Sequence, residues 1–533
     1  MESIQSTQWS ASEYQKFSSL IRAYLNQQTE DLYYRFPSEE SLYEQAKEKL
    51  QNYRHREILH TALSRQLSFL ELSETQSQNL EKLKLENTVT ITTGHQLNLF
   101  TGPVYFFYKI LQVIKCCRVM NEKYPDLNFV PVFWMATEDH DFEEINHFYY
   151  QNQKISWDRK AGGAVGRLDL TGINEVFEHF FNILPDSSNA TELKDLVKNS
   201  YFKSKNLTEA SQRLVQDLFG KYGLLMIDGD DKELKKLMIP AFEEDLFQHT
   251  AFKKVEETNN KLREKDELVQ VNPREINLFY LGEGNIRERI VLLNDEFFVL
   301  NTDYKFSKNE IREELNAHPE KFSPNVILRP LYQESILPNI AYIGGSGESA
   351  YWLQLKGMFE AMKVAYPLVI VRNSVLILSE NQNRKLEKLS LSFLDLMQPL
   401  NQIINKNIEK HSAIEIDFGK YENTLNQMFD ELEEKAKQTD ISFSKMINAQ
   451  RSKQTKGLDK MKKRLLHAEK IRQADRVQRI NALYSEIFPQ NELQERIMNF
   501  SEIQLAYGLD FMDEILTEIK PVDFCFTIKT FNN

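Results

Sequence analysis

The chain has 533 residues, 66 of them Lys or Arg and 78 Asp or Glu, for a net charge of −12. At roughly 150 residues per domain this length predicts three or four domain-sized units, and 41% hydrophobic with 27% charged residues excludes global disorder. The acidic balance argues against a nucleic-acid binder, no window reaches the ~18 uninterrupted apolar residues of a membrane helix, no apolar signal core precedes Phe17, and three cysteines cannot build a disulfide framework. The expectation is a soluble cytoplasmic protein with neither a membrane nor a nucleic-acid partner.

Glycine is scarce, 18 residues in all, about half the usual ~7%, so helix should dominate. Residues 1–85 read as an N-terminal helical segment, with helices over 11–25 and 39–70. The texture then changes. Residues 89–92 are a short β-rich run ending in Thr93-Gly94-His95-Gln96, Pro103 opens an apolar helix to about Met120, and 129–135 is a second apolar strand followed at once by Ala136-Thr137-Glu138-Asp139-His140-Asp141. This order is a βαβ unit, and continuously apolar strands predict a parallel sheet covered on both faces.

Residues 224–227 predict a strand ending in Asp228-Gly229-Asp230-Asp231, before a long helix over 232–265 that breaks near Pro240. Residues 289–301 read as a hairpin turning at Asn294-Asp295. Residues 325–329, 340–343 and 368–371 read as strands, the second ending in Gly344-Gly345-Ser346-Gly347-Glu348 ahead of a helix over 349–362. The α/β core is thus assigned to 86–380, with inserted connecting segments at about 150–290. From 381 to 533 the reading is a helical coiled-coil domain. Leu386, Leu389, Phe393, Leu396, Leu400 and Ile403 keep a/d spacing, with a kink expected at Pro399. Leu458, Met461, Leu465 and Ala468 repeat the spacing in a second helix over 442–487, and a strand over 523–528 closes the chain. Between Lys445 and Arg479, 12 basic residues stand against three acids, Asp459, Glu469 and Asp475. Either this helix is charge-matched by Glu422, Asp430, Glu431, Glu433, Glu434 and Asp440, or it holds an anionic ligand such as a nucleotide.

In open parallel sheets, ligands bind beyond the carboxyl ends of the strands. Four polar clusters take that position: Gly94-His95-Gln96, Glu138 to Asp141, Asp228 to Asp231, and Gly344 to Glu348. The densest, Glu138-Asp139-His140-Asp141 with Glu143, Glu144, Asn146 and His147 behind it, pairs carboxylates with a histidine and suits general acid–base work. The plain alternative is a solvated acidic helix start. With no cysteine nearby and no HExxH spacing, a metal site is not expected. His95 precedes a helix whose N-terminus could hold an anion, or it simply caps a tight turn. The Gly344–Gly347 loop lets backbone approach a phosphate or carboxylate closely, though it matches neither a Walker A loop nor a Gly-x-Gly-x-x-Gly fingerprint. Arg329 could pair with such an anion or with a structural carboxylate. Cys116, Cys117 and Cys525 read as small core residues.

These residues also carry a resemblance. The run from Thr93 to Pro103 (TGHQLNLFTGP), the run from Pro131 to Phe142 (PVFWMATEDHDF), Gly347-Glu348-Ser349-Ala350-Tyr351-Trp352, and Leu493-Gln494-Glu495-Arg496 with Tyr507-Gly508 resemble the cysteine-adding ligase family of bacillithiol biosynthesis, the BshC family, over essentially the whole chain. The resemblance implies a Rossmann-like core related to nucleotidylyltransferases and class I synthetases, with inserted segments and a C-terminal coiled coil that mediates homodimers. It implies joining the cysteine carboxyl group to the amine of glucosaminyl-malate, the last step of the pathway. Amide formation from a free carboxylate needs activation, so ATP with Mg2+ is expected as cosubstrate and no structural metal. In that frame Gly94, His95 and Gln96 border the nucleotide or carboxylate pocket. Asp139, His140 or Asp141 accepts the amine proton or binds the sugar, with Glu138 and Asn146 beside them. Arg329 with Gly344, Gly345, Ser346 and Gly347 holds an anionic group, while Glu348, Tyr351 and Trp352 shape the pocket. Relatives in this family carry glutamine where this chain has His95, which argues against His95 as an indispensable acid or base and favours Gln96 as the direct contact. Two alternatives stay open: a nucleotidyl- or glycosyl-type transferase on the same core, and a non-catalytic coiled-coil scaffold.

Overall fold

The computed structural model describes residues 6–10, 14, 16–439 and 441–531. Part of the helix expected over 11–25, and Asp440, lie outside these residues. The chain forms two compact units. One contains residues 6–376 and Glu495–Lys529, and the other contains Ile377–Gln494 with Thr530 and Phe531. The sequence reading assigned all of 381–533 to the C-terminal domain, whereas Glu495–Lys529 packs with the first unit.

The first unit is built on five parallel strands: β1 (Thr88–His95), β2 (Asn128–Met135), β3 (Leu225–Asp228), β4 (Asn339–Gly344) and β5 (Leu368–Val371). Their spatial order is β5-β4-β1-β2-β3, and every neighbouring pair is parallel. This is the doubly wound order, in which the strand sequence reverses between β1 and β4. The strands are rich in Val, Ile, Thr and Phe, residues that fit a pleated, packed surface. Every residue of β1 is buried, and the hydroxyls of Thr90 and Thr92 find a partner in Asn339 Oδ1 on β4 (3.2 and 2.8 Å). Helix α1 (Tyr105–Lys123) packs Val113, Cys116, Cys117 and Met120 onto Val89, Ile91, Phe129 and Ile343, and Leu42 and Ala46 join the same core from the helix Glu39–Asn52. All three cysteines are buried.

Two long insertions leave this sheet. Between β2 and β3 lie a small hairpin (His147–Tyr150 with Gln153–Ser156) and three helices, Ile173–Ile183, Ser188–Ser200 and Leu207–Phe219. Between β3 and β4 lie a set of helices and a five-stranded antiparallel sheet containing Leu278–Gly282, Ile286–Leu293 and Phe322–Pro324. The hairpin expected at Asn294-Asp295 is present, both residues having positive φ (53° and 65°) as that turn requires.

Several boundaries differ from the sequence reading, each for a local reason. The helix expected over 39–70 splits into Glu39–Asn52 and Arg56–Gln66, because Tyr53 turns extended and its hydroxyl donates to the Ile336 carbonyl. The helix expected over 232–265 is three helices, Lys232–Lys236, Ile239–Gln248 and Thr250–Glu264, broken at Met238 ahead of Pro240 and at His249 (φ 56°). Residues 325–329 are not a strand. Asn325 Oδ1 accepts from the backbone N–H of Ile327 and Leu328, a local alternative to a sheet ladder that starts helix α2 (Leu328–Ile336). Arg329 is therefore a first-turn helix residue. The helix after β4, α3 (Ser346–Leu353), begins at Ser346, inside the glycine run. Near the termini, Ser6–Ser10 pairs antiparallel with Cys525–Phe531.

The second unit is helical. The heptad run over 386–403 is not one helix: Glu380–Leu389 ends at Ser390 (φ 55°), Phe393–Leu396 is a single turn, and Pro399 caps Leu400–His411. The helical hairpin is formed instead by Gly419–Ala436 and Ile441–Arg472, which bury Phe429, Ala436 and Ile447 between them. The helix expected over 442–487 is interrupted at Gln473, and Ala474–Ile487 continues it. Among the described residues the basic run meets the upstream acids through Arg451, which pairs with Asp430 and Glu433 (3.5 Å to the latter), while Arg472 and Arg479 pair within the run with Glu469 and Asp475 (2.9 Å each). Among the described residues no helix is long and apolar enough to cross a membrane.

Candidate active site

The carboxyl ends of β1, β2, β3 and β4 gather all four polar clusters at one edge of the sheet, where the reversal of strand order opens a crevice in folds of this kind. The crevice has two halves of opposite charge.

The basic half lies between β1 and β4. Lys109, only 2% exposed within the buried run 106–114 of helix α1, donates to the Gly94 carbonyl (2.7 Å) and pairs with Glu348 Oε2 (2.6 Å). Glu348 also accepts from the Gly345 N–H (2.8 Å) and from the Tyr342 hydroxyl (2.9 Å). Burial alone would raise the Glu348 carboxyl, but Lys109 and these hydrogen bonds outweigh it and hold the group below its usual range. Arg329 donates to the Tyr351 hydroxyl (2.6 Å) and lies against the Tyr342 ring. Among the described residues it has no carboxylate within ion-pair distance. Arg372, directly after β5, makes two bonds to Glu495 (3.0 and 2.7 Å). Among the described residues, the buried His95 Nε2 and Arg372 Nε have no hydrogen-bond partner. Burial, and then Lys109, pushes the His95 imidazole down to about 3, so the ring is neutral near pH 7.

Glycine is required where the chain passes this half. A Cβ on Gly94 would sit 3.3 Å from the Tyr342 hydroxyl and 3.6 Å from Arg329, and one on Gly344 would come within 2.9 Å of the Tyr342 ring. The segment leaving β1 is held in left-handed backbone at Phe100, Thr101 and Gly102 (φ 47°, 66° and 63°), a conformation that costs about 1–3 kcal/mol per non-glycine residue. Asn499 secures it by donating to the Phe100 and Gly102 carbonyls (2.8 and 2.7 Å).

The acidic half lies beyond β2 and β3. Gln96 spans the two halves, donating to Asp139 Oδ2 (2.8 Å) and to Glu144 Oε2 (3.0 Å). Asp139 Oδ1 accepts from the His140 N–H (2.7 Å), which fixes the loop, while His140 and Asp141 are exposed. Glu138 is tied to Lys235 (2.5 Å), a fully buried lysine that also bonds the Glu320 carbonyl (3.0 Å). Arg167 forks onto Asp230 (2.7 and 2.8 Å). Asp228 accepts from the Thr137 hydroxyl and the Asp230 N–H. Burial and the adjacent Asp230 push the Asp228 carboxyl up to about 7, whereas Lys235 and Arg167 hold Asp230 below its usual range despite its burial. The folded form of Asp228 thus binds a proton more tightly than the unfolded chain. Its contribution to stability is present below about pH 4 and is lost as pH rises through about 7. Asp228→Asn is expected to flatten the fall in Tm between pH 5 and 8, and an unchanged slope in thermal melts would refute this.

Most of the sequence-predicted residues meet here. Gly94, His95, Gln96, Arg329, Gly344, Gly345, Glu348 and Tyr351 surround the basic half, with Ser346 and Gly347 opening helix α3 beside them. Glu138, Asp139, His140 and Asp141 form the acidic half. Two placements differ. Trp352 is fully buried and stacks on Tyr342 (4.5 Å between ring centres), so it supports a wall rather than lining the crevice. Asn146 is engaged with His147 Nδ1 (3.0 Å) and with the Trp157 N–H at the hairpin. Lys109, Tyr342, Arg372, Lys235 and Arg167 were not singled out from sequence. Lys109 had a visible signal, the one charged residue in the largely apolar run 105–114.

Comparison with known proteins agrees with this architecture. Residues 5–373 match the family model described as Bacillithiol biosynthesis BshC, N-terminal Rossmann-like domain, and residues 375–531 match the BshC C-terminal coiled-coil domain. Relatives named "Putative cysteine ligase BshC" include those of Flavobacterium johnsoniae (48% identity, covering 96% of this chain and 97% of the relative), Flavobacterium psychrophilum (46%; 97% and 98%) and Christiangramia forsetii (44%; 97% and 97%). With both domains matched along nearly their whole length, this chain belongs to the BshC family of bacillithiol biosynthesis.

Proposed function

We propose that this protein is an ATP-dependent carbon–nitrogen ligase that joins the carboxyl group of cysteine to the amine of glucosaminyl-malate. Family membership supports the pathway. The observation that carries the reaction type is the opposed polarity of one crevice: a basic wall with Arg329 in excess of its carboxylates, facing a carboxylate-rich wall across Gln96. Two reactants of opposite local charge, a carboxylate or phosphate and an amine, suit those walls.

The residues present fit an anionic nucleotide. Helix α3 offers its first backbone N–H groups, Gly347 is exposed and a Cβ built on it would meet Gln270 Nε2 at 3.9 Å, and Arg372 Nε, without a hydrogen-bond partner among the described residues, lies 3.7 Å from a Cβ built on Gly345. Arg329 and the start of helix α3 would hold its phosphates, with Mg2+ arriving on them. ATP supplies the leaving group that makes the cysteine carboxyl reactive toward an amine. On the other wall Asp139, fixed by Gln96 and by the His140 N–H, is placed to take the proton that the attacking amine releases. Asp141 and Glu144 make the same wall attractive to an amino sugar before attack.

The decisive assay is mass spectrometry of purified protein with cysteine, glucosaminyl-malate and ATP. Bacillithiol together with AMP or ADP is expected. Turnover of the nucleotide without cysteine incorporation would favour a transferase on the same core. We further propose that the protein is a homodimer through its helical hairpin. Met461 of the a/d seam is 54% exposed within one chain, as are Met446 (58%) and Met428 (47%). Light scattering should give twice the chain mass of 62.7 kDa, and a folded monomer would refute the pairing.

A further inference from the structure

The crevice contains a contact that changes the role of its histidine. Arg287 lies on the strand Ile286–Leu293 of the inserted antiparallel sheet, far in sequence from the loop after β2, and is 8% exposed. Three features fix its guanidinium from behind. Nε donates to Ser323 Oγ (3.0 Å), Nη2 donates to the Pro324 carbonyl (3.2 Å), and Cζ sits 3.9 Å from the centre of the Phe279 ring. The remaining Nη1 points at His140 Nδ1, 2.8 Å away, and the same Phe279 ring flanks the imidazole at 5.4 Å.

A guanidinium has donors only, and it does not lose its proton in proteins. The nitrogen it meets must therefore present a lone pair. The geometry points to Arg287 as a positioning residue that holds His140 in the tautomer carrying its proton on Nε2. The ring then offers the crevice a hydrogen-bond donor, and Nδ1 is unavailable as a base. Two other charged groups face the ring, Asp139 Oδ1 at 3.7 Å from Nδ1 and Asp141 Oδ1 at 3.7 Å from Nε2. Both are too far for a direct hydrogen bond, so the Nε2–H stays free for a ligand oxygen. The inference deepens the ligase reading, on which its chemical meaning rests. His140 donates to a substrate oxygen, a sugar hydroxyl or the oxyanion formed as the carboxyl group is attacked, and proton acceptance falls to Asp139. The arrangement matches the division of labour in which a fixed tautomer is set by the hydrogen bond made at the other ring nitrogen.

The test does not need the ligase reaction. Long-range 1H–15N correlation spectra of the full chain, labelled with 15N-histidine, report which ring nitrogen of each histidine bears hydrogen, and the His140 signals are those lost in His140→Gln. In the unmodified protein His140 should show a protonated Nε2 and an unprotonated Nδ1. In folded Arg287→Met this pattern should give way to a mixed one. A protonated Nδ1 in the unmodified protein would by itself overturn the proposal, whether or not the variant folds, and so would an unaltered pattern in folded Arg287→Met. In the ligation assay, Arg287→Met should lower kcat about 10–100-fold with KM changed less. Loss of the tautomer signature with full kcat would overturn the catalytic part. An enzyme that forms no bacillithiol at all, yet shows the Nε2–H signature and its loss in Arg287→Met, would instead refute the ligase reading and leave the positioning contact standing.

Discussion

Glu348→Ala is expected to lower stability by about 3–5 kcal/mol, the cost of leaving one member of a buried ion pair without its partner. Lys109 is 2% exposed, and after the substitution its ammonium loses its carboxylate and keeps the neutral Gly94 carbonyl. The Tyr342 hydroxyl and the Gly345 N–H lose their acceptor at the same time. Equilibrium denaturation with urea measures the loss directly. A double variant, Lys109→Met with Glu348→Leu, should recover much of it, because no buried charge is then left unpaired. A loss below about 1 kcal/mol in the single variant would show that water or backbone adjustment replaces the carboxylate and that the pair is weak. The pH dependence has a definite sign. Because the Glu348 carboxyl is held below its usual range, its stabilisation is present above about pH 4 and is lost as pH falls through the lowered folded value.

Asp139→Asn is expected to reduce kcat for bacillithiol formation about 10²–10⁴-fold, the usual span for removal of a positioned general base. The asparagine side chain keeps an oxygen for the His140 N–H, and the native carboxylate is 24% exposed, so the fold should persist with Tm changed by only a few degrees. Single-turnover measurements separate this from weakened binding. A loss confined to KM would assign Asp139 to holding the sugar amine, and unchanged kcat and KM in a folded variant would remove it from the mechanism. Asp141→Asn provides the contrast, since Asp141 is exposed and lacks the Gln96 bond that fixes Asp139.

Both residues were legible before the structure, but for different reasons. Asp139 follows an apolar strand in a dense polar run, and position after a parallel strand is a strong indicator of a sheet-edge site. Glu348 stood in a glycine-rich loop, which suggested an anion cradle. The structure shows that its carboxylate itself occupies the Gly345 N–H and neutralises Lys109. The difference arises because Lys109 is supplied by a helix more than two hundred residues earlier in the chain, and no local pattern encodes that approach. Arg329 lies beside the other predicted residues, but in a helix where the sequence reading had a strand. Asn325 closes a turn on the backbone of Ile327 and Leu328, a side-chain interaction that outweighs the apolar run suggesting a strand.

The heptads show the converse. Leu386 to Ile403 keep a/d spacing, yet Ser390 and Pro399 divide them among three short helices, since spacing alone does not ensure a continuous backbone.

By itself the sequence determined the parallel sheet, the four polar clusters at its strand ends and the helical C-terminal region, because alternation between apolar strands and polar loops is a local property set by solvent. Tertiary structure alone decided which charges face each other. Lys109 against Glu348, Arg372 against Glu495 and Arg287 against His140 are each brought together from distant segments by the order of strands and by the inserted sheet. A buried charge needs its partner within a few ångströms, and only the completed packing fixes that distance.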